Sequence, residues 1–249
     1  MSHTANEKQN KGYVYDKAFM KWANANQQSA RVVVPLVLSI WPAKTVVDFG
    51  CAMGDWLVVW EEHGLTITGV DGDYVDLEKL NIKKEYFIEG DLNQPQNLGK
   101  RFDIVQCLEV AEHIQPQNAQ QLIDTLTNHS DAVLFSASPP GQGGEYHINE
   151  KPFSYWRDLF AKRDYQLFDC IRPALADKLE VKPWYRYNTM FFVHRSQINR
   201  LPQEVLQHKV APSQPVIDPA PPYYKLRRLL VRCLPAFMVN FISRNLART

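Results

Sequence analysis

The sequence predicts an α/β domain built on a doubly wound, mostly parallel sheet of seven strands with helices on both faces. Three observations point there. From residue 45 onward, short runs rich in Val, Ile and Phe alternate with segments of helical period. The first run, Thr45-Val46-Val47-Asp48-Phe49, passes through a small-residue turn, Gly50-Cys51-Ala52-Met53-Gly54, directly into a helix start. With 249 residues, 45% of them hydrophobic, the chain can bury one full core and carry an appendage.

The elements follow in order. Residues 1–12 are polar, lack the apolar centre of a secretory signal and are expected to be disordered. Helical spacing predicts one helix over 13–23 and a second over 27–41, stopped at Pro42. After the first strand and its turn, Leu57, Val58 and Trp60 suit the buried side of a helix that ends near Gly64. Further strands are expected at 65–70, 85–88, 102–107 and 131–138, with a short helix near 75–80 and a longer one at 118–128, where Leu122, Ile123 and Leu126 share a face. The pattern then breaks into a glycine-containing loop, 139–150, before a helix at 154–162 and two last strands at 165–171 and 189–194. The main domain is therefore placed at 13–200, followed by a Pro-rich linker at 201–222 and a basic amphipathic helix at 223–249.

Charge is unevenly spread. Residues 1–200 hold 21 Lys/Arg and 25 Asp/Glu, whereas 201–249 hold 7 and 2. An acidic body argues against a phosphate-backbone footprint, so no nucleic-acid partner is expected. The four cysteines (Cys51, Cys107, Cys170, Cys233) show no metal-ligand spacing and read as thiols of a reducing, cytoplasmic compartment. No apolar run is long enough to span a bilayer.

In an open parallel sheet, ligands sit beyond the carboxyl ends of the strands. Asp71, Asp91 and Glu109 lie near such ends, and Asp55 lies at the glycine turn itself. A dinucleotide site would want a third glycine where Asp55 stands, because a carboxylate there repels pyrophosphate. A cationic ligand without phosphates fits better.

The order Val47-Asp48-Phe49-Gly50-Cys51-Ala52-Met53-Gly54 resembles motif I of the class I S-adenosylmethionine-dependent methyltransferases, with Ala52 in place of the usual middle glycine. Gly69-Val70-Asp71, Gly90-Asp91-Leu92 and the stretch from Phe102 to His113 resemble their next three motifs, in register over roughly residues 30–195. The resemblance implies a Rossmann-like sheet whose last strand is antiparallel, and S-adenosylmethionine as cofactor. It implies that Asp48 orients the turn and that Gly50, Cys51, Ala52 and Gly54 let the backbone approach the methionine part. Asp71, with Gly72 after it, would take the ribose hydroxyls. Asp91 would take the adenine amino group with Leu92 beside the ring, while Leu108 and Glu109 line the sulfonium end. Alanine at 52 is expected to be tolerated provided its φ stays negative. Asp103 is read as structural and His113 as a packing residue.

Methyl transfer to a hydroxyl gains from a base within hydrogen-bond reach. The loop after the fifth strand concentrates Tyr146, His147, Asn149 and Glu150, and its glycines suggest a mobile lid. His147 is expected to be the base, the alternative being that it shapes the loop. The loop shows too few clustered carboxylates for a metal, so none is expected. Tyr146, Asn149 and Glu150, with Trp184 and Tyr187 from the aromatic stretch before the last strand, are candidate acceptor contacts; core packing is the other reading of the aromatics. The two stretches resemble those of bacterial small-molecule methyltransferases of surface-glycan or secondary-metabolite pathways. The expected function is O-methylation of a small-molecule acceptor such as a sugar, glycan precursor or secondary metabolite, with a catalytically inactive cofactor-binding scaffold as the alternative. The tail is expected to dock on the domain or on a second subunit. Peripheral contact with an anionic membrane is its other reading.

Overall fold

The computed structural model describes residues 17–246; the start expected to be disordered, 1–12, lies outside them. Seven strands, β1 (Thr45–Phe49), β2 (Thr66–Asp71), β3 (Phe87–Glu89), β4 (Ile104–Leu108), β5 (Ala132–Ser136), β6 (Tyr165–Phe168) and β7 (Met190–His194), form one sheet in the order β3-β2-β1-β4-β5-β7-β6. The β1, β2, β3, β4 and β5 pairings are parallel, and β7 runs antiparallel to both β5 and β6. The expected doubly wound sheet with an antiparallel last strand is what the chain forms.

Period-two alternation builds its two cores. Val46, Ala132, Leu134, Phe191 and Val193 face one side, where α1 (Lys17–Ile40), α2 (Asp55–Glu62) and the short α5 (Ile171–Ala174) cover them. Val47, Phe49, Val133, Phe135, Met190 and Phe192 face the other, under α3 (Ala119–His129) and α4 (Phe153–Ala161). Rings interlock on that second side, with Phe160 stacked on Phe192 at 3.9 Å between centroids.

Several expected boundaries moved. The described part of the N-terminal region is one helix, α1, rather than two, and it runs through Pro35. Proline removes one amide from the ladder, but Ala30, Val33, Val34 and Val37 are fully buried and hold the helix in place. The strand expected over 165–171 ends at Phe168, and the aromatic stretch before β7 is a helix, α6 (Pro183–Asn188). The segment read as a linker begins with α7 (Gln203–Leu206) and then lies against β6, where the Val210 amide donates to the Leu167 carbonyl at 3.0 Å. The tail is two helices, α8 (Pro222–Arg232) and α9 (Ala236–Leu246), parted at Pro235.

The chain leaves β1 toward β2 on one side and, later, toward β4 on the other, so the crevice lies beyond the carboxyl ends of β1 and β4. The opposite end of β1 is fastened by Asp103, whose Oδ2 accepts from the amides of Lys44 (2.8 Å) and Thr45 (3.0 Å) and from Thr45 Oγ1 (3.0 Å). Asp103→Ala leaves those donors unpaired and is expected to cost about 2 kcal/mol of stability. A change below about 0.5 kcal/mol in urea unfolding, the level of an ordinary surface substitution, would contradict this assignment.

Candidate active site

The glycine turn closes on itself, the Gly54 amide donating to the Cys51 carbonyl at 2.8 Å, while the Gly50 amide donates to the Val70 carbonyl at 2.8 Å. Gly50 has φ +86°, and a Cβ there would stand 2.2 Å from Val110 Cγ2, so only glycine fits. Ala52 departs from expectation. Its φ is +48°, in the left-handed region where a Cβ is strained. The position is held by Asp71, whose Oδ2 accepts from the Ala52 amide at 2.7 Å.

Asp71 thus orients the turn, a role the motif assigned to Asp48. Its Oδ1 accepts from the Gly72 amide at 2.7 Å and from the Tyr74 hydroxyl. Burial raises the Asp71 carboxyl, and these three bonds oppose the rise. Asp48 pairs with Gln106 across β1 and β4. Burial pushes its carboxyl up to about 8, held back in part by the Gln106 amide. Cys51 is buried, and its thiol is raised well above the usual range.

Asp55 is not offered to the crevice. It is 3% exposed and its carboxylate accepts from Asn81 Nδ2 (2.8 Å) and Asn26 Nδ2 (3.3 Å), tying α1 to the segment after β2. Its part in the argument against phosphate is corrected accordingly. Asp91 is exposed and accepts from the Asn93 amide at 2.8 Å, with Leu92 buried beside it.

Beyond β4 the wall is acidic and dry. Leu108 is buried, and Glu109 takes φ +56°. A non-glycine residue in that region marks local strain. Neutral donors surround the Glu109 carboxylate. Asn188 Nδ2 donates to Oε1 at 3.0 Å and Gln142 Nε2 to Oε2 at 2.7 Å. One turn on, Glu112 is fully buried; its Oε1 accepts from Ser138 Oγ at 3.0 Å, and its Oε2 has no hydrogen-bond partner. Burial raises both carboxyls, and the charge of Glu109 raises Glu112 further.

The loop meets this wall. His147 Nδ1 lies 3.1 Å from Glu150 Oε1, and the His147 and His113 rings meet edge-on with centroids 4.9 Å apart. Burial and the neighbouring His147 push His113 down to about 3, so its ring is neutral at physiological pH. A carboxylate oxygen of Glu112 and ring nitrogens of His113 and His147 lie within 4.8 Å of one another. The loop alone offers few metal ligands, and the fold adds Glu112 and His113 from the β4 side.

The candidate acceptor residues part company. Glu150 organises the loop, accepting from the amides of Gly141 (2.6 Å) and Gly143 (2.8 Å) as well as facing His147. Asn149 is buried and donates to the Ala111 carbonyl at 3.0 Å. Tyr146, at φ +58°, is 39% exposed. Tyr187 packs on Tyr224 of α8 at 5.4 Å, and Trp184 packs on the α1 side of the sheet. Ser138, just after β5, Gln142, in the loop that follows, and Asn188, the last residue of α6, complete the wall and carry no motif. Gly141 and Gly143 face the tail, and Gly144 faces the His147 ring. A Cβ at Gly143 would touch Val231 and Val239 at 3.0 and 3.2 Å.

A family model for the methyltransferase domain matches residues 21–169. Ubiquinone biosynthesis O-methyltransferases of Yersinia pestis and Yersinia pseudotuberculosis are 29% identical over 101 residues, 37% of this chain, and the chain spans only 42% of their length. Among solved structures, the sugar N-methyltransferase KedS8 from Streptoalloteichus sp ATCC 53650 superposes with a TM-score of 0.60 at 15% identity, covering 78% of this chain and 98% of that one. Magnesium protoporphyrin IX methyltransferase from Synechocystis PCC 6803 gives 0.50 at 18% identity, covering 74% and 86%.

The left-handed Ala52 generates a stability prediction. Ala52→Gly relieves the Cβ strain, less the entropy glycine adds to the unfolded chain, for a net gain of roughly 0.5–1 kcal/mol. Chemical denaturation checks it, and a loss of stability would show that the methyl group packs favourably.

Proposed function

The chain belongs to the class I methyltransferase family, and from that premise we propose that it uses S-adenosylmethionine to methylate a hydroxyl of a small-molecule acceptor. One observation carries the proposal: an acidic wall, half-buried Glu109 and buried Glu112, meets the His147–Glu150 pair where the loop after β5 crosses the end of β4. The donor set fits the cofactor. Hydrogen bonds to Asp71, Glu109 and Glu112 among the described residues come from neutral groups, so the wall suits a cationic centre.

S-adenosylmethionine, when bound, supplies a methyl group activated for in-line displacement. The residues do the rest. Asp71 holds the turn through Ala52 and offers its carboxylate to ribose hydroxyls, and the tightly bonded Tyr74 hydroxyl competes for Oδ1. Leu92 gives an apolar face beside the position of adenine, with Asp91 at its rim. Glu150 holds His147 Nδ1, which would leave Nε2 to take the proton of the acceptor hydroxyl. Of the other candidates, Tyr146 at the loop tip and the aromatics Trp184 and Tyr187 would bound the acceptor.

A second reading of the same groups is favoured by the Glu112, His113 and His147 cluster, whose atoms are a set that a divalent transition metal accepts. Chelation separates the two. Turnover that survives chelator treatment supports the proton acceptor, and turnover lost and then restored by added Mn²⁺ or Zn²⁺ supports the cation.

Tyr74→Phe frees Asp71 Oδ1 from a competing donor and is expected to tighten S-adenosylmethionine binding roughly fivefold, for a bond of about 1 kcal/mol. Unchanged or weaker binding by calorimetry would mean that Tyr74 helps the cofactor instead. His147→Ala is expected to lower turnover by about 10²-fold or more with cofactor affinity kept. Full turnover in that variant removes His147 from the chemistry.

A further inference from the structure

The tail is amphipathic in the inverted sense. On α8, Arg228 points into the molecule, 5% exposed, with its guanidinium on Asp218 and over the Tyr224 ring. Leu226, Leu229 and Leu230 of the same helix are 58%, 57% and 62% exposed. On α9, Phe237 is 73% exposed, and Met238 and Ile242 also face outward. A helix docked only to complete its own domain would bury the leucines and leave the arginine in water. Here the apolar face is turned to the surroundings, as one patch over two successive helices, and such patches mark contact with another phase or partner.

Charge selects the occupant. Residues 223–249 carry six Lys/Arg and no Asp/Glu. A two-fold contact between copies of the tail would set these cations against themselves, because an isologous interface repeats the same patch on both sides. An anionic lipid surface supplies the opposite charge and takes up the leucines and phenylalanine. No described helix is long and apolar enough to cross a membrane, so the pair would lie on it. A cavity of about 520 Å³ at the seam is lined by Lys225 and Arg232 of the tail, by the Arg228–Asp218 ion pair, and by Pro139 and Pro140 at the root of the loop.

The same helices grip the acceptor loop. Arg227 Nη1 donates to the Gln142 carbonyl at 2.9 Å, and the Tyr146 amide donates to Asn240 Oδ1 at 3.2 Å. Gly141 lies so close to α8 that a Cβ would stand 2.2 Å from the Arg228 carbonyl oxygen. We propose that α8 and α9 form an interfacial anchor for anionic membrane, and that the anchor sets the acceptor loop at the lipid surface to methylate the headgroup of a membrane-borne amphiphile. The substrate class rests on the loop being the acceptor site; the anchor does not.

The test is co-sedimentation of the full chain with vesicles of phosphatidylcholine alone or mixed with phosphatidylglycerol. Binding is expected to the mixed vesicles only, to weaken with salt, and to fall more than tenfold in the Leu226→Glu/Leu230→Glu double variant, which takes two apolar side chains and adds two acids. Calorimetry with S-adenosylmethionine on the same variant shows that it is folded and tests the cofactor reading separately. Equal recovery of the chain with both vesicle types, or with neither, overturns the anchor. So does a concentration-dependent dimer in sedimentation equilibrium that the double variant abolishes, which would assign the patch to a second copy. If the anchor holds, turnover is expected to rise when a hydroxylated acceptor is presented in mixed vesicles rather than as a water-soluble headgroup. Equal rates would remove the membrane-borne substrate and leave the anchor standing.

Discussion

The carbonyl oxygen of Glu112 accepts two amide hydrogen bonds, from Ile148 and from Asn149, each at 2.9 Å, and the placement of the loop at 139–150 depends on this pair. It fastens a loop from the end of β5 to the segment leaving β4, more than thirty residues away in sequence. Asn149 adds its side-chain bond to Ala111 one residue earlier. With these three bonds made, the position of His147 follows, because it directly precedes the pinned Ile148 and Asn149. Glu150 then closes the loop from within by holding Gly141, Gly143 and His147 on one carboxylate. Each bond is worth about 1 kcal/mol at most, but together they fix a histidine against a carboxylate with little freedom left to lose on binding.

The electrostatic design follows from what is left out of the crevice. Asp71 and Glu112 are buried and Glu109 is half-buried, and desolvation opposes the ionisation of all three. Their hydrogen bonds come from backbone amides, Tyr74, Asn188, Gln142 and Ser138, which lower the cost without supplying a full positive charge. A lysine or arginine in their place would neutralise the wall and leave nothing for a cation to do. Neutral donors keep the carboxyl groups in position without a cation beside them, and a positive ligand is what would favour their charged forms. The same logic excludes pyrophosphate better than the single residue Asp55 does.

How far the sequence discloses this depends on the range of the interactions. The sheet is legible because alternation such as Ala132-Val133-Leu134-Phe135 reports two buried faces locally. Motif order likewise brings Asp71, Leu108 and Glu109 to one edge of the sheet. Ala52 was misread because a backbone dihedral has no side-chain signature, and here the sign of φ is set by a bond to Asp71, nineteen residues on. Asp55 was misread because its partners, Asn26 and Asn81, lie on either side of it at a distance no local pattern spans. The loop glycines look like hinges in isolation, and only the packing of Val231 and Val239 shows them to be clearances for another element. Gln142 and Asn188 meet on Glu109 through contacts across 33 and 79 residues.

The inverted tail has a physical origin in the loop beneath it. Loops carry unpaired backbone groups, and covering one without supplying partners is costly. The helices over residues 141–146 therefore bring polar atoms inward, Arg227 to the Gln142 carbonyl and Asn240 to the Tyr146 amide, and small clearances where glycine permits. Arg228 is drawn in as well, to Asp218 at the end of the preceding segment. On a helix, inward polar positions force the remaining apolar ones outward, so Leu226, Leu229 and Leu230 are displaced to the far side by the demands of the near side. The polar grip on the loop and the apolar outer face are two consequences of one arrangement. Changing what the outer face touches is then also a way of acting on the loop that holds His147.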